Sequence, residues 1–186
     1  MTFRTDTRAR IPFAVLGALL LITSTIYAST AAPAPVTEPV TEQVIDQAQV
    51  EARMALSTAV RNAGRRAAAQ PVVDPASSGV GSLLSETAPF RDYLRLLIAV
   101  EARETLQAAN ASRGSVRAAV SLPPIEDRED LAAAMSSVSV RQVENGRYRV
   151  TFERLEVDLR RHGRPMESFR YDASLTTAIP AIEVHD

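Results

Sequence analysis

The chain contains neither cysteine nor lysine. Without thiols there is no disulfide framework, no thiolate zinc site and no cysteine nucleophile, whatever the compartment. Without a lysine ammonium there is no Schiff-base chemistry, no P-loop lysine and no Ser-Lys dyad. All the cationic side chains are arginines, apart from two histidines, His162 and His185. His162 falls in an expected turn and His185 at the carboxyl end, so neither is placed as a buried base held by a carboxylate. No G-x-S-x-G, H-E-x-x-H or EF-hand pattern occurs. Gly79-Val80-Gly81-Ser82 lacks the third glycine, the lysine and the preceding strand of a phosphate cradle. A net charge of -1 provides no overall basic field for nucleic acid. These absences predict a chain that is not an enzyme, with no cofactor, no metal, no nucleic-acid partner and no identifiable small-molecule substrate.

What is present is an uncharged apolar run, residues 11–32, reading IPFAVLGALLLITSTIYASTAA. As a helix it would rise about 33 Å, near the thickness of a bilayer's hydrocarbon core, so it predicts a transmembrane anchor. Ile11, Phe13, Val15, Leu16, Leu19, Leu20, Leu21, Ile22 and Ile26 would meet lipid, with Tyr27 near the outer interface. Arg4, Arg8 and Arg10 precede the run, whereas the first charges after it are Glu38, Glu42, Asp46 and Glu51. That asymmetry predicts residues 1–10 in the cytoplasm and everything beyond the run outside it. A rival reading is a secretory signal peptide cut after the small residues Ser29-Thr30-Ala31, which would release a secreted binding module. A pilin-type leader has only Arg8-Ala9 as its junction and fits poorly.

Residues 33–40, with Pro33, Pro35 and Pro39, should interrupt the helix as a semi-rigid spacer. The rest, residues 41–186, reads as one α+β domain. From 41 to 69, Val44, Ala48, Ala52, Ala55, Leu56, Ala59, Ala63 and Ala67 form a narrow small-residue stripe at helical spacing. Residues 70–86 read as a loop. A second amphipathic helix, 88–111, presents a broader face of Phe90, Leu94, Leu97, Ile98, Glu101 or Ala102, and Thr105 or Leu106. Val50-Glu51-Ala52-Arg53 recurs as Val100-Glu101-Ala102-Arg103, although two copies do not make a repeat architecture.

Beyond residue 115 the period changes to two, predicting antiparallel strands at 116–122, 137–143, 147–160 and 167–177, with a brief helix within 126–135. Asn145-Gly146 marks a tight hairpin, and residues 162–165 mark another turn. Within 147–160, Tyr148, Val150 and Phe152 are one residue out of phase with Leu155, Val157 and Leu159. A β-bulge near Glu153-Arg154 would put both sets on one face. The small meander should be covered by the second helix. Arg160, Arg161 and Arg164 would crown a solvated hairpin tip.

Three stretches carry a likeness to a known group: residues 4–14, RTDTRARIPFA; residues 89–95, PFRDYLR; and residues 175–186, LTTAIPAIEVHD. With them the chain resembles a family of uncharacterised haloarchaeal membrane proteins of unknown function, whose members continue past the His-Asp ending. The resemblance implies a single-pass surface protein at the cell membrane, beside pilus-like or secretion machinery, with the lipid bilayer and other membrane or surface proteins as partners. Its near-neutral charge departs from the acidic surface expected of such proteins.

Overall fold

The computed structural model describes residues 38–186 apart from Asn145, Ala181 and residues 183–186. The expected anchor at 11–32, its site residues and the topology-setting Arg4, Arg8 and Arg10 lie outside the described residues. The chain divides into two units, Met1–Pro39 and Val40–Asp186. Among the described residues no helix is long and apolar enough to cross a membrane.

The fold is α+β. Helix α1, Glu38–Ala69, is 32 residues long and therefore about 48 Å. It begins within the stretch expected to be spacer, so the proline at 39 sits in its first turn. A proline is tolerated there because its missing N–H would have no intrahelical partner anyway. The expected stripe faces inward: Val44, Ala48, Ala52, Leu56, Ala59, Ala63 and Ala67 are all essentially inaccessible to water, and Ala55 is partly buried. Small side chains let the helix axis approach its neighbours closely, so this stripe serves the chain's own core.

The loop after α1 contains two short 3-10 turns, Pro75–Ser77 and Gly81–Leu83. Here the Gly79-x-Gly81 pair finds a structural reason. A Cβ on buried Gly81 would lie 1.7 Å from the carbonyl oxygen of Pro75, so only glycine lets the two turns meet.

Helix α2, Pro89–Leu106, buries Phe90, Leu94, Leu97, Ile98, Ala102 and Leu106. It stops five residues short of the expected end, and the remainder supplies a strand that periodicity did not reveal. Strand β1, Asn110–Arg113, pairs with β2, Val116–Ser121, across a turn in which Gly114 has φ +61°. With four residues, one of them buried, β1 carries too little alternation to be read in sequence. The recurrence of Val-Glu-Ala-Arg aligns inward Ala52 and Leu56 with inward Ala102 and Leu106.

Helix α3, Arg128–Ser136, is opened by Asp127, whose carboxylate accepts the Asp130 N–H at 2.9 Å. Strands β3, Val138–Glu144, β4, Arg147–Arg161, and β5, Arg164–Ala178, complete an antiparallel five-stranded sheet. Long β4 is its axis. One edge of β4 pairs with β3 through its first half and with β2 through its second, while the other edge pairs with β5 along nearly its whole length.

The break between the β3 and β2 ladders coincides with the expected bulge. The register slips between Phe152 and Leu155, opposite Ala173 and Tyr171, and Arg154 takes φ +61°. Three N-terminal apolar residues, Tyr148, Val150 and Phe152, and three C-terminal ones, Leu155, Val157 and Leu159, thereby all point into the core. The bulge's backbone is satisfied: the Glu153 N–H donates to Ser137 O at 2.9 Å and the Arg154 N–H to Asp172 Oδ1 at 3.0 Å.

The apolar face of the sheet joins α1 and α2 in one core, with Phe90, Phe152, Leu94, Ile98, Leu106, Leu155 and Leu159 among its largest fully buried side chains. Arg95 ties α2 to the far side of that core. Its Nε donates to Val138 O at 2.8 Å, and its two Nη groups reach Met135 O and Asp92 Oδ1, each at 3.1 Å. The sheet's other face is polar and exposed.

Candidate functional site

The chemically most distinctive surface among the described residues is the end of the sheet where two turns meet. Gly114-Ser115 closes β1 to β2, and His162-Gly163 closes β4 to β5 with φ of +50° and +77°. Successive positive φ values give a two-residue turn whose twist matches that of the flanking strands. The His162 N–H donates to Ser115 O at 3.0 Å, stitching one turn to the other.

This pairing brings five arginines to one end of the sheet, Arg117 and Arg160 on its exposed face and Arg113, Arg161 and Arg164 at the margin of the other. Arg117 lies opposite Arg160 between β2 and β4, Arg161 opposite Arg164 between β4 and β5, and Arg113 closes the β1 side. Only part of their charge is answered locally. Arg160 Nε donates to Asp158 Oδ2 at 2.8 Å, and Arg113 donates to the side-chain oxygen of Gln43, near the start of α1. Among the described residues Arg117, Arg161 and Arg164 form no ion pair. Like charges directly opposite one another across strands disfavour the sheet, so their retention here exposes guanidinium groups able to grip anionic oxygens bidentately.

Sequence reasoning found Arg160, Arg161 and Arg164 as one hairpin tip. Arg113 and Arg117 were invisible because they join the tip only through the β2–β4 pairing. The expected turn position of His162 is observed and its side chain is exposed, whereas His185 lies outside the described residues.

Three cavities lie among the described residues away from this end of the sheet. A crevice of about 160 Å³ between α2, α3 and the bulge, lined by Ala99, Leu122, Pro124 and Ala134 with Arg103 and Glu153, is below the size of ordinary small-molecule pockets. Arg103 donates there to Ile125 O at 3.1 Å and so holds the Pro123-Pro124 loop. A groove of about 630 Å³ follows the C-terminal half of α1 beside Ala178 and Ile179, and another of about 430 Å³ separates Asp46, Val50 and Arg53 of α1 from β5 at Tyr171–Ser174. Among the described residues no three His, Asp or Glu side chains gather as metal ligands would.

Two carboxylates inside the fold have structural partners. Glu101 is buried on α2 and accepts from Arg66 at 2.7 Å; this hydrogen bond, reinforced by the carboxylate's charge, raises the pKa of Arg66. Asp92 accepts the Ser85 N–H at 2.9 Å and Arg95 at 3.1 Å. Burial pushes its carboxyl upward, but the Ser85 and Arg95 interactions outweigh it and hold the pKa below the usual value. Burial raises the phenol of Tyr171, against the opposing charge of Arg53.

An α+β unit built on one antiparallel sheet, with an arginine-rich end and no clustered reactive groups among the described residues, defines a class of protein by its architecture and surface. The chain belongs to a family of unknown function, DUF7286, whose model matches residues 5–186. Comparison with curated proteins and with solved structures gives no match.

Proposed function

We infer that this chain is a non-enzymatic, single-pass membrane protein whose α+β unit lies outside the cytoplasm and acts as an assembly or interaction component. The observation that carries the reading is the five-arginine end. Through Arg113 and Gln43 it stands beside the first turns of α1, the point at which the chain enters the folded unit from the apolar run. Exposed guanidinium groups there suit acidic oxygens on a lipid headgroup or on a neighbouring protein, which a planar guanidinium binds bidentately. The order of apolar run, long helix and antiparallel sheet is that of pilin-like subunits. It supports a place beside pilus-like or secretion machinery, as does the resemblance to haloarchaeal membrane proteins. The prolines at 33 and 35 argue against one continuous filament-forming helix.

Membrane fractionation combined with protease protection tests this reading. The chain should sediment with membranes and resist alkaline extraction, with residues beyond 41 cleaved by protease added from outside. Recovery of a soluble chain beginning near residue 32 would replace the anchored component with a secreted binding module.

A further inference from the structure

Strand β5 is 15 residues long and pairs with β4 along one edge only; its other edge pairs with no described strand. Long free edges are templates for another strand, and proteins usually blunt them with short length, bulges or prolines. Here Pro165 and a bulge at Met166 stand near the beginning, and the stretch from Ser168 to Thr177 has neither proline nor glycine. We propose that this edge pairs antiparallel with β5 of a second copy of the chain, about a two-fold axis at Tyr171, to make one continuous sheet across the dimer.

The register follows from the strand's own charges. With Tyr171 opposite itself, Arg170 faces Asp172 of the second copy and Asp172 faces its Arg170, both pairs on the exposed face of the sheet. Ser168 faces Ser174 on that same face, and on the inner face bulky Phe169 faces small Ala173. A two-fold at 170 would set Arg170 against Arg170, and one at 172 would set Asp172 against Asp172. Opposite charges across strands are favourable and like charges unfavourable, so the neighbouring same-face registers are rejected by the sequence itself. A shift of one residue would oppose inner-face and outer-face side chains.

A second observation points to the same edge. Phe169, Tyr171, Ala173 and Leu175 pack on the core yet remain only partly buried, as expected of an inner face awaiting further cover. Beside them Val50 of α1, 59% exposed, lines a groove together with Tyr171, Asp172, Ala173 and Ser174 of β5. The pairing requires no membrane anchor, so it stands or falls separately from the function proposed above.

The absence of cysteine makes the register directly testable in the full chain, purified in detergent and checked for folding by circular dichroism. Tyr171→Cys should form a disulfide-linked dimer on mild oxidation, because that residue opposes itself. Ser168→Cys and Ser174→Cys should not link alone but should link when the two variants are mixed; both positions are exposed, so they serve even if the 171 variant folds poorly. Sedimentation equilibrium should give a dimer for the native chain and at least a tenfold weaker one for Arg170→Asp. A native monomer, a folded set of variants without the mixed Ser168–Ser174 link, self-linking through residue 174, or a dimer indifferent to Arg170→Asp would each overturn the proposal.

Discussion

Deleting a residue from the middle of a central strand should normally destroy a sheet, yet removal of Arg154 should leave this one folded. Between Phe152 and Leu155, β4 spends three steps where β5 spends two, from Ala173 to Tyr171. Loss of Arg154 converts this into an even ladder, with Leu155, Val157 and Leu159 still facing the core. The deletion forfeits the bond from the Arg154 N–H to Asp172, a charged acceptor, at about 1.5–3 kcal/mol. It also relieves a non-glycine residue held at φ +61°, roughly 1–2 kcal/mol. The net change should therefore stay within about 2 kcal/mol. Deleting Glu156 instead shifts Val157 and Leu159 to the solvent face, and each fully buried side chain of this kind is worth about 1.5–3 kcal/mol. With their neighbours on β2 and β5 also mispaired, that loss approaches the roughly 5–15 kcal/mol of total stability of an ordinary domain. Urea unfolding followed by circular dichroism distinguishes the two. The bulge argument fails if the Arg154 deletion is as damaging as the Glu156 deletion, or if the latter is tolerated.

Other outcomes follow from single contacts. Gly81→Ala must displace the Pro75 carbonyl and should lower stability by about 1–3 kcal/mol, visible as a lower urea midpoint with an unchanged slope. Asp92 has a depressed carboxyl pKa, so its contribution is present above the unfolded value near 4 and is lost as pH falls through the lower folded value; Asp92→Asn should flatten the decline of Tm in that acid window. Arg66→Ala leaves the carboxylate of Glu101, whose side chain is only 10% exposed, without its cation. Because Arg66 itself is largely in solvent, the cost should be near 1 kcal/mol and should shrink at high salt in chemical denaturation. Phe152→Ala empties a fully buried site between sheet and helices and should cost about 3–5 kcal/mol by the same measurement.

Much of the fold is legible where one face of an element is buried along its length. The alanine stripe of α1, the oily face of α2 and the period-two runs of β3 to β5 all show their inward residues directly. Even the bulge is readable, because two apolar sets one residue out of phase can share a core only if the strand gains a residue between them. Legibility fails where a segment is too short to show a period, as in β1, or where a boundary rests on local geometry. Pro39 illustrates the latter: the same residue can end a helix or sit in its first turn, and its neighbours in sequence do not distinguish the two. The arginine end is legible only in part, since Arg160, Arg161 and Arg164 are neighbours along the chain and Arg113 and Arg117 are not.

The sequence by itself determined which chemistries are closed to this protein, because a missing thiol or ammonium group cannot be supplied by folding. It also determined the alternation of apolar side chains that makes an α+β unit, since burying those faces is the main favourable term in folding. Tertiary structure alone decided which surfaces came together. Pairing β2 with β4 is a contact between distant residues, and it gathered five arginines at one end. Pairing β4 with β3 and β2 on one edge and with β5 on the other left a long strand edge free among the described elements. Both surfaces arise from long-range register, which no local pattern of residues encodes.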